Sequence, residues 1–255
     1  MNTFNPFSLK DKTILVTGAS SGIGAQTAID CSKMGGEILL LGRNSERLEK
    51  VLDKLEGPQE HKMFSMDLTD FESVENWAAG LNKDHLIHGI VNAAGISTTL
   101  PFKFSTPQKM DEFFRTNVHG SVNLFRVLQK NKVISGNGAS IVFISSVMGS
   151  LGENGKSLYG MTKGAITALV KSLAVEFASK RIRVNSISPS VVESPMSANA
   201  VYSKDPALLE KVISMHPLGL GKPEDVAAAC IYLLSDAARW VSGTNLFVDG
   251  AYSAR

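Results

Sequence analysis

Tyr159 and Lys163 stand four positions apart in a stretch with helical periodicity, and the serine pair Ser145 and Ser146 follows the apolar run before them. Residues at i and i+4 of a helix share one face. A phenol has an ordinary pKa of about 10, and we expect the neighbouring ammonium to lower it. Such a phenol can protonate a carbonyl oxygen during hydride transfer, while the Ser146 hydroxyl polarises that oxygen. The alternative is an ordinary helix with a half-buried tyrosine and a solvated lysine.

A glycine-rich turn lies between an apolar run that ends at Thr17 and the first helical segment. It reads Gly-Ala-Ser-Ser-Gly-Ile-Gly at residues 18–24. Glycines there allow a tight turn and the close approach of a pyrophosphate, which the N–H groups at the helix start can bind. A plain turn is the alternative, but the strand before it and the helix after it favour a dinucleotide site. The predicted contacts are Gly18, Ser20, Ser21, Gly22, Ile23 and Gly24.

The end of the second strand distinguishes the two nicotinamide dinucleotides. An NAD site commonly has an acidic residue there for the ribose 2′-hydroxyl, and an NADP site has a cation for the 2′-phosphate. The chain reads Gly42, Arg43 and Asn44, without a carboxylate, and a guanidinium suits a phosphate. We therefore predict NADP (NADPH) as the preferred cofactor, NAD as the alternative, and contacts by Arg43 and Asn44. Arg43 as a solvated loop residue is the competing interpretation.

Two further strand ends carry candidate nucleotide contacts. After the third strand, Thr69 or Asp70 is expected to cap the next helix, which leaves Asp67 free to accept a hydrogen bond from an adenine amino group. The fourth strand ends in Asn-Ala-Ala-Gly at residues 92–95, whose small residues let the chain pass close beneath a nucleotide. A simple tight turn is the alternative for this motif.

These residues follow segments that alternate between short apolar runs and helical periodicity. Such alternation indicates a parallel sheet covered on both faces. The expected fold class is α/β, a doubly wound (Rossmann) sheet of about seven strands in a single domain over residues 1–255, with a tail at residues 1–10. Ligands of such sheets bind at the carboxyl ends of the strands. The predicted strands are 13–17, 37–41, 63–66, 89–92, 140–145, 184–188 and 246–248. The predicted helices are 25–34, 46–55, 71–81, 110–128, 158–178 and 223–234.

Composition argues against several other classes of protein. The 255 residues include 26 Lys and Arg against 24 Asp and Glu, a formal net charge of +2, and 44% of them are hydrophobic. This balance gives no electrostatic footprint for nucleic acid, and the longest apolar runs fall far short of the ~20 residues of a membrane helix. Cys31 and Cys230 make no disulfide framework and the first residues resemble no secretory signal, so we expect a cytoplasmic protein.

The order and spacing of these motifs resemble the short-chain dehydrogenase/reductase family, in its single-domain branch, over residues 9–250. The matching motifs are the glycine turn, the motif at residues 92–95 and the Tyr-x-x-x-Lys pair. The resemblance implies an NAD(P)-dependent enzyme in which Asn117 holds a water for proton relay, and in which Ser146, Tyr159 and Lys163 are the other catalytic residues. The further cofactor contacts that it implies are Asp67, Leu68, Asn92, Ala93, Gly95, Tyr159, Lys163, Pro189, Val192 and Ser194.

The resemblance also implies a homotetramer, with the long helices around Val118 and Ala165 at one interface. The chain departs from the family pattern at Ser190 and Ser194, at Leu220, where arginine is common, and at Ala251, where a second glycine is common. Ser190 follows Pro189 where the family usually has glycine, and Ser194 stands where threonine is common. Ser194 keeps a hydroxyl for the carboxamide of the nicotinamide, whereas Ser190 is expected to reshape that side of the site.

The most similar group within the family is the 3-oxoacyl-(acyl-carrier-protein) reductases, through residues 146–149 and 223–227. The expected reaction is the reduction of a 3-oxoacyl thioester or a similar small ketone to a secondary alcohol. Residues 135–138 lack the basic side chains with which that group binds its carrier protein. An NAD-dependent alcohol dehydrogenase of the same family is the alternative, and a non-catalytic dinucleotide-binding regulator is a weaker one.

The substrate residues that we predict are Ser146, Met148 and Lys156. Lys156 lies three residues before Tyr159, where it would bind a carboxylate or phosphate of the substrate. The alternative is a solvated loop lysine. Residues 192–218, rich in serine, methionine and small residues, are expected to form a mobile lid over the substrate.

Overall fold

The computed structural model describes residues 5–81 and 86–254, which form one parallel sheet with helices on both of its faces. The strands are β1 Thr13–Thr17, β2 Glu37–Gly42, β3 Lys62–Ser65, β4 Gly89–Asn92, β5 Ala139–Ile144, β6 Ile182–Pro189 and β7 Asn245–Val248. The helices are α1 Gly22–Lys33, α2 Ser45–Leu52, α3 Phe71–Ala79, α4 Pro107–Phe114, α5 Gly120–Lys130, α6 Ser157–Phe177, α7 Pro195–Ala198, α8 Pro206–Ser214 and α9 Pro223–Leu234. The α/β doubly wound architecture expected from the sequence is confirmed.

The order of the strands places a topological switch at the centre of the sheet. The seven strands follow the order β3-β2-β1-β4-β5-β6-β7, and all neighbours are parallel. The chain moves outward from β1 to β3 and then crosses back to β4, on the other side of β1. The connections on the two sides of this boundary diverge, which opens a crevice at the carboxyl ends of β1 and β4.

Two apolar layers explain why the sheet is buried on both faces. Leu15 of β1 packs into a cluster with buried side chains of α3, α5 and α6. Its neighbours Ile14 and Val16 point the opposite way, into a cluster with α1, α2 and α9. Side chains alternate across a strand, so a strand that is apolar at every position has a core on each side.

The predicted helix 110–128 is interrupted in the structure. It consists of α4, a π-helical turn at Arg115–His119 and α5. A π-helical turn inserts one extra residue into the helical register, and such turns are frequent at functional sites. The periodicity of apolar residues does not reveal the π-helical turn, because the helices on both sides of it bury apolar side chains.

The segment at residues 192–218, expected as a lid, contains regular structure. Pro195–Ala198 and Pro206–Ser214 are helical, with proline in the first turn of each and with Ser194 and Asp205 as their N-caps. Its motion remains a prediction. None of the helices among the described residues has the length and apolarity that crossing a membrane would require.

Candidate active site

Two adjoining depressions lie at the carboxyl ends of the strands. The first, which we call the glycine cleft, has a volume of about 360 Å³ and is lined by the turn after β1 and the ends of β2, β3 and β4. The second, the tyrosine cavity, has a volume of about 180 Å³ and is lined by the ends of β4, β5 and β6, the head of α6 and residues 190–216. The two are continuous, since Ile23, Ala93, Gly95 and Ser194 border both.

The glycine turn has the backbone that a phosphate cradle requires. Gly18 has a φ of +64°, and a Cβ there would lie 2.8 Å from the Ala94 nitrogen. A Cβ on Gly24 would lie 2.4 Å from the Gly18 carbonyl oxygen. Ser21 caps α1 without a side-chain hydrogen bond to the helix, so the N–H groups of the first turn face the cleft uncapped. The turn therefore fits an anionic group such as a pyrophosphate.

The Thr17 hydroxyl links the end of β1 to the turn that follows β4. Thr17 Oγ1 accepts hydrogen bonds from the backbone nitrogens of Ala93 and Ala94, at 3.1 and 3.2 Å. Thr17 is fully buried. Its position explains how the turns after β1 and β4 keep a constant separation across the floor of the glycine cleft.

Two arginines lie at the far end of the glycine cleft. Arg43 is 72% exposed, and its Nη1 lies 3.9 Å from Asp67 Oδ2. Arg47, on α2, also lines the cleft and was not predicted from the sequence. Asn44 borders the cleft too, but its side-chain oxygen accepts a hydrogen bond from the Arg47 nitrogen and so caps α2.

Asp67 borders the glycine cleft, where it is predicted to accept a hydrogen bond from an adenine amino group. Asp67 Oδ1 accepts hydrogen bonds from the backbone nitrogen and the hydroxyl of Thr69, both at 2.9 Å. Asp70 caps α3, as predicted, through a hydrogen bond from the Ser73 nitrogen. Asp67 therefore holds its own turn through Oδ1 and keeps Oδ2 as a further acceptor, so its contact with adenine stays a prediction.

Tyr159 and Lys163 lie on the cavity-facing side of α6, where several contacts hold the head of this helix against the end of β5. Lys163 Nζ lies 5.6 Å from the centroid of the Tyr159 ring and donates to the Ile144 carbonyl oxygen at 2.8 Å. The Ser145 hydroxyl donates to the Lys163 carbonyl oxygen at 2.9 Å. A Cβ on Gly149 would lie 2.9 Å from the Lys163 carbonyl carbon, so the approach depends on glycine there.

The predicted fall in the Tyr159 pKa does not occur in this structure. Burial raises the pKa of Tyr159 to about 12, and a hydrogen bond with Ser146 offsets only part of that rise. Burial also lowers the pKa of Lys163 to about 8. Desolvation is the largest cause of both shifts, and it favours the neutral form of each group. The phenol is therefore protonated at neutral pH, which is the form that a proton donor needs.

Ser146 lies at the mouth of this arrangement. It caps the turn Val147–Gly149, since its Oγ accepts from the Met148 nitrogen at 3.2 Å. The Pro189 carbonyl oxygen lies 3.5 Å away. The hydroxyls of Ser146 and Tyr159 thus border one spot at the cavity wall, where a carbonyl oxygen would meet both donors.

Asn117 belongs to the same assembly without lining either depression. Its Oδ1 accepts from the Ile96 nitrogen at 2.8 Å, and its Nδ2 donates to the Ile96 carbonyl oxygen and to Thr162 Oγ1. The Thr162 hydroxyl in turn donates to the Tyr159 carbonyl oxygen at 2.8 Å. Asn117, placed by the π-helical turn, therefore ties the loop after β4 to the first turn of α6.

The structure brings most of the remaining predicted residues to the two depressions. Asn92 is the exception: its amide is buried, lines neither depression and has no hydrogen-bond partner among the described residues. Lys156 borders the tyrosine cavity, where it is half-buried and donates to the Thr98 carbonyl oxygen at 3.3 Å. The other predicted residues at the walls are Gly18, Ser20, Gly22, Leu68, Met148, Pro189, Val192 and Ser194.

Several residues of the tyrosine cavity were not predicted. Most of them come from the segment between α7 and α9 and from the end of the chain, where the sequence has no recognisable motif. Burial lowers the pKa of Lys156, and the carboxylate of Glu153 partly opposes this. The additional residues at the wall include Glu153, Tyr202, Met215, His216 and Tyr252, and Ser190, which was expected to shape the nicotinamide side, lies there too.

Comparison with known proteins agrees with this geometry. The family model described as enoyl-(acyl carrier protein) reductase matches residues 18–253. "Carbonyl reductase [NADPH] 2" of Sus scrofa is 32% identical, over 94% of this chain and 96% of that protein. The 3-oxoacyl-[acyl-carrier-protein] reductase of Thermotoga maritima is 29% identical, over 95% of this chain and 98% of that protein.

A solved structure shares the whole fold. The crystal structure of a candidate NAD(P)-dependent gluconate 5-dehydrogenase from Beutenbergia cavernae, with bound NADP at low occupancy, superposes with a TM-score of 0.89. It is 29% identical in sequence, and the alignment covers 98% of this chain and all of the other.

The close packing of the glycine turn predicts that a methyl group added at Gly24 lowers the stability of the protein. Gly24→Ala would press a Cβ against the Gly18 carbonyl, so we expect the free energy of unfolding to fall by about 1–3 kcal/mol. Urea denaturation measures this. Gly152→Ala is the matched control, because a Cβ at Gly152 meets nothing within 4 Å. Equal unfolding free energies for the two variants would contradict the packing described here.

The buried ammonium of Lys163 predicts a pH-dependent stability. Because the folded state lowers its pKa to about 8, the unfolded chain binds more protons between pH 8 and 10.5, and the wild type gains stability across that window. Lys163→Met should therefore be more stable relative to wild type at pH 7 than at pH 10, by up to about 3 kcal/mol. Urea denaturation at a series of pH values tests this.

Lys171→Met is the control for that series, since Lys171 lies on the same helix and is exposed. The difference in unfolding free energy between Lys171→Met and wild type should not change across the pH series. If the difference in unfolding free energy between Lys163→Met and wild type is equally independent of pH, burial does not lower the pKa of Lys163 as described here.

Proposed function

Since this chain belongs to the short-chain dehydrogenase/reductase family, whose members are NAD(P)-dependent oxidoreductases, we propose that it uses NADPH to reduce a small ketone to a secondary alcohol. The observation that carries the proposal is the Tyr159 phenol, protonated at neutral pH and set beside Ser146 and Lys163 in a cavity continuous with the glycine cleft. A proton donor next to a dinucleotide-shaped cleft suits reduction of a carbonyl.

The glycine cleft would hold the dinucleotide. Its glycine turn fits the pyrophosphate, and Ile23, Pro189, Val192 and Ser194 border the passage into the tyrosine cavity on the nicotinamide side. When bound there, NADPH supplies the hydride. Ser194 also caps α7 through its hydroxyl, so contact with the carboxamide would use its remaining hydrogen-bonding capacity.

Charge at the far end of the glycine cleft supports NADP over NAD. Gly42 ends β2 without a carboxylate, and the guanidinium groups of Arg43 and Arg47 border the cleft. Planar guanidinium groups suit a phosphate. The named NADPH dependence of the porcine relative and the NADP in the Beutenbergia structure point the same way. The Asp67 carboxylate near Arg43 would partly offset that positive charge.

The chain's own residues account for the chemistry at the carbonyl. Ser146 would donate to the carbonyl oxygen and draw electron density from the carbon. Tyr159 would deliver its proton to that oxygen as negative charge develops there. Lys163, cationic below its pKa of about 8, would stabilise the phenolate that remains, and Asn117 would hold the helix head in place. The same groups serve alcohol oxidation in reverse, with the phenolate as base.

The walls of the tyrosine cavity favour a small substrate. A volume of about 180 Å³ suits a short ketone. The Thermotoga relative makes a 3-oxoacyl thioester a candidate, whereas residues 135–138 lack basic side chains for a carrier protein. Lys156 would meet a carboxylate or phosphate at the wall. Residues 192–218 would act as a lid, because they form one side of the cavity.

Removing the phenolic hydroxyl tests the proposal. Tyr159→Phe should lower kcat for NADPH-dependent ketone reduction by at least about 100-fold, because a positioned proton donor contributes about 10²–10⁴-fold. The affinity for NADPH, measured by calorimetry, should change less than about threefold, since the phenol only borders that site. NADPH absorbance with a panel of small ketones measures turnover. Tyr232→Phe, on α9 and away from both depressions, is the control.

Full turnover by Tyr159→Phe would overturn the role given to the tyrosine. A purified wild type that binds neither NADPH nor NADH in calorimetry would overturn the proposed function as a whole.

Exchanging the end of β2 tests the choice of cofactor. Gly42→Asp with Arg43→Ala should lower the preference for NADP over NAD, measured as the ratio of kcat/KM values, by at least about tenfold, because a hydrogen bond to a charged group contributes about 1.5–3 kcal/mol. A side chain at residue 42 meets Leu48 Cδ2 at 3.3 Å, a contact that a leucine can relieve. Arg239→Ala, an exposed arginine remote from the cleft, is the control. An unchanged ratio would refute the role of Arg43.

A further inference from the structure

Ser190 and His216 form a hydrogen-bonded pair in the wall of the tyrosine cavity. Ser190 Oγ lies 2.7 Å from His216 Nε2. Ser190 follows β6 directly, and His216 follows α8, so the pair joins the sheet to the segment that covers the cavity. Both residues line the cavity, and the chemistry proposed above uses neither of them.

The second nitrogen of the imidazole determines the direction of this hydrogen bond. His216 Nδ1 lies 2.7 Å from the Val212 carbonyl oxygen. A carbonyl oxygen only accepts, so Nδ1 carries a proton, and in the neutral imidazole Nε2 then accepts. With the neutral ring, the Ser190 hydroxyl donates to His216. Its proton is committed, and the lone pairs of Oγ remain to accept a hydrogen bond from a ligand.

The surroundings hold this acceptor in one orientation. His216 is 4% exposed, and its ring packs against that of Tyr252 at a centroid distance of 4.8 Å. Val212 belongs to α8, which fixes the carbonyl that orients the imidazole. A hydroxyl held in advance loses little conformational freedom when a ligand binds, so its hydrogen bond contributes more to specificity.

Ser190 lies next to the reacting end of the cavity. The Pro189 carbonyl oxygen is 3.5 Å from Ser146 Oγ, and Ser190 is the next residue, with its Cα about 3.8 Å further along the chain. A substrate whose carbonyl oxygen sits between Ser146 and Tyr159 would therefore extend along the cavity wall that includes Ser190.

We propose that Ser190, oriented by His216, is a specificity-determining residue that accepts a hydrogen bond from a hydroxyl on the carbon next to the reacting carbonyl. The substrate class is then the α-hydroxyketones, in preference to ketones with an alkyl group in that place. This inference rests on the proposed function. A cavity that hydrogen-bonds a substrate hydroxyl rejects the analogue without it, because a buried polar group is left without a partner.

Hydroxyacetone and butanone test the proposal, since they differ by a hydroxyl against a methyl group of similar size. The wild type with NADPH should favour hydroxyacetone in kcat/KM. Ser190→Ala should lower that preference by about tenfold, the contribution of one ordinary hydrogen bond, and should change kcat/KM for butanone less than about threefold. Ser190→Gly, which also lacks the hydroxyl, should show the same loss and serves if the alanine variant does not fold.

Ser188→Ala is the matched control. Ser188 also lies on β6, but its hydroxyl donates to Asn245 Oδ1 at 2.8 Å and lies outside the cavity. It should keep the wild-type preference. An equal loss on both ketones in Ser190→Ala, with a lower melting temperature, would mean that the pair only tethers α8, and the proposal would be overturned.

A binding measurement separates this inference from the proposed function. In the NADPH-loaded Tyr159→Phe variant, ligand-observed NMR should give tighter binding of hydroxyacetone than of butanone, and adding Ser190→Ala should remove the difference. If the wild type turns over neither ketone while this binding difference holds, the proposed reaction fails and the specificity of Ser190 stands. If hydroxyacetone and butanone bind equally well to the Tyr159→Phe variant that keeps Ser190, the inference about Ser190 fails, whatever turnover the wild type shows.

Discussion

The attachment of the head of α6 to the end of β5 is the constraint on which the rest of the site depends. A buried ammonium, a serine hydroxyl and a glycine contact all act across this junction: Lys163 to Ile144, Ser145 to Lys163, and Gly149 against the Lys163 backbone. Because the helix cannot slide or rotate without breaking them, Tyr159 keeps its place beside Ser146. Asn117 and Thr162 brace the junction from the other side.

This junction has a thermodynamic cost that a purely structural contact would avoid. An ammonium in a desolvated site loses hydration that one carbonyl oxygen does not replace, and the lowered pKa of Lys163 is the measure of that loss. Keeping the lysine there lowers the stability of the folded protein but places a positive charge next to the phenol. Such a trade of stability for activity is common at active sites.

The architecture and much of the site follow from local patterns in the sequence. The strands are apolar at nearly every position because both faces of the sheet are covered, and Gly18 and Gly24 mark a turn where a Cβ would press against backbone atoms. The spacing of Tyr159 and Lys163 places them on one face by helical geometry alone. These features depend on neighbours in sequence or on a repeating period, so they can be predicted.

The features that the sequence did not predict depend on the folded surroundings of a residue rather than on its neighbours in sequence. The Tyr159 pKa depends on how much protein surrounds the hydroxyl, which no spacing reveals. The turn that Asp67 closes with Thr69 was not anticipated either, although an aspartate two residues before a backbone N–H readily forms one. His216 was missed because its partner, Ser190, lies far away along the chain, and the two meet only when α8 folds over β6.

The π-helical turn at Arg115–His119 has a consequence for how this region can vary. One additional residue in the winding turns everything after it by about 100°. Leu124 and Phe125 face the sheet only because of that rotation. Deleting one residue from the turn would restore a regular α-helix. It would also rotate Leu124 and Phe125 toward water and break the hydrogen bonds between Asn117 and Ile96. The irregular turn therefore orients both Asn117 and the apolar face of α5.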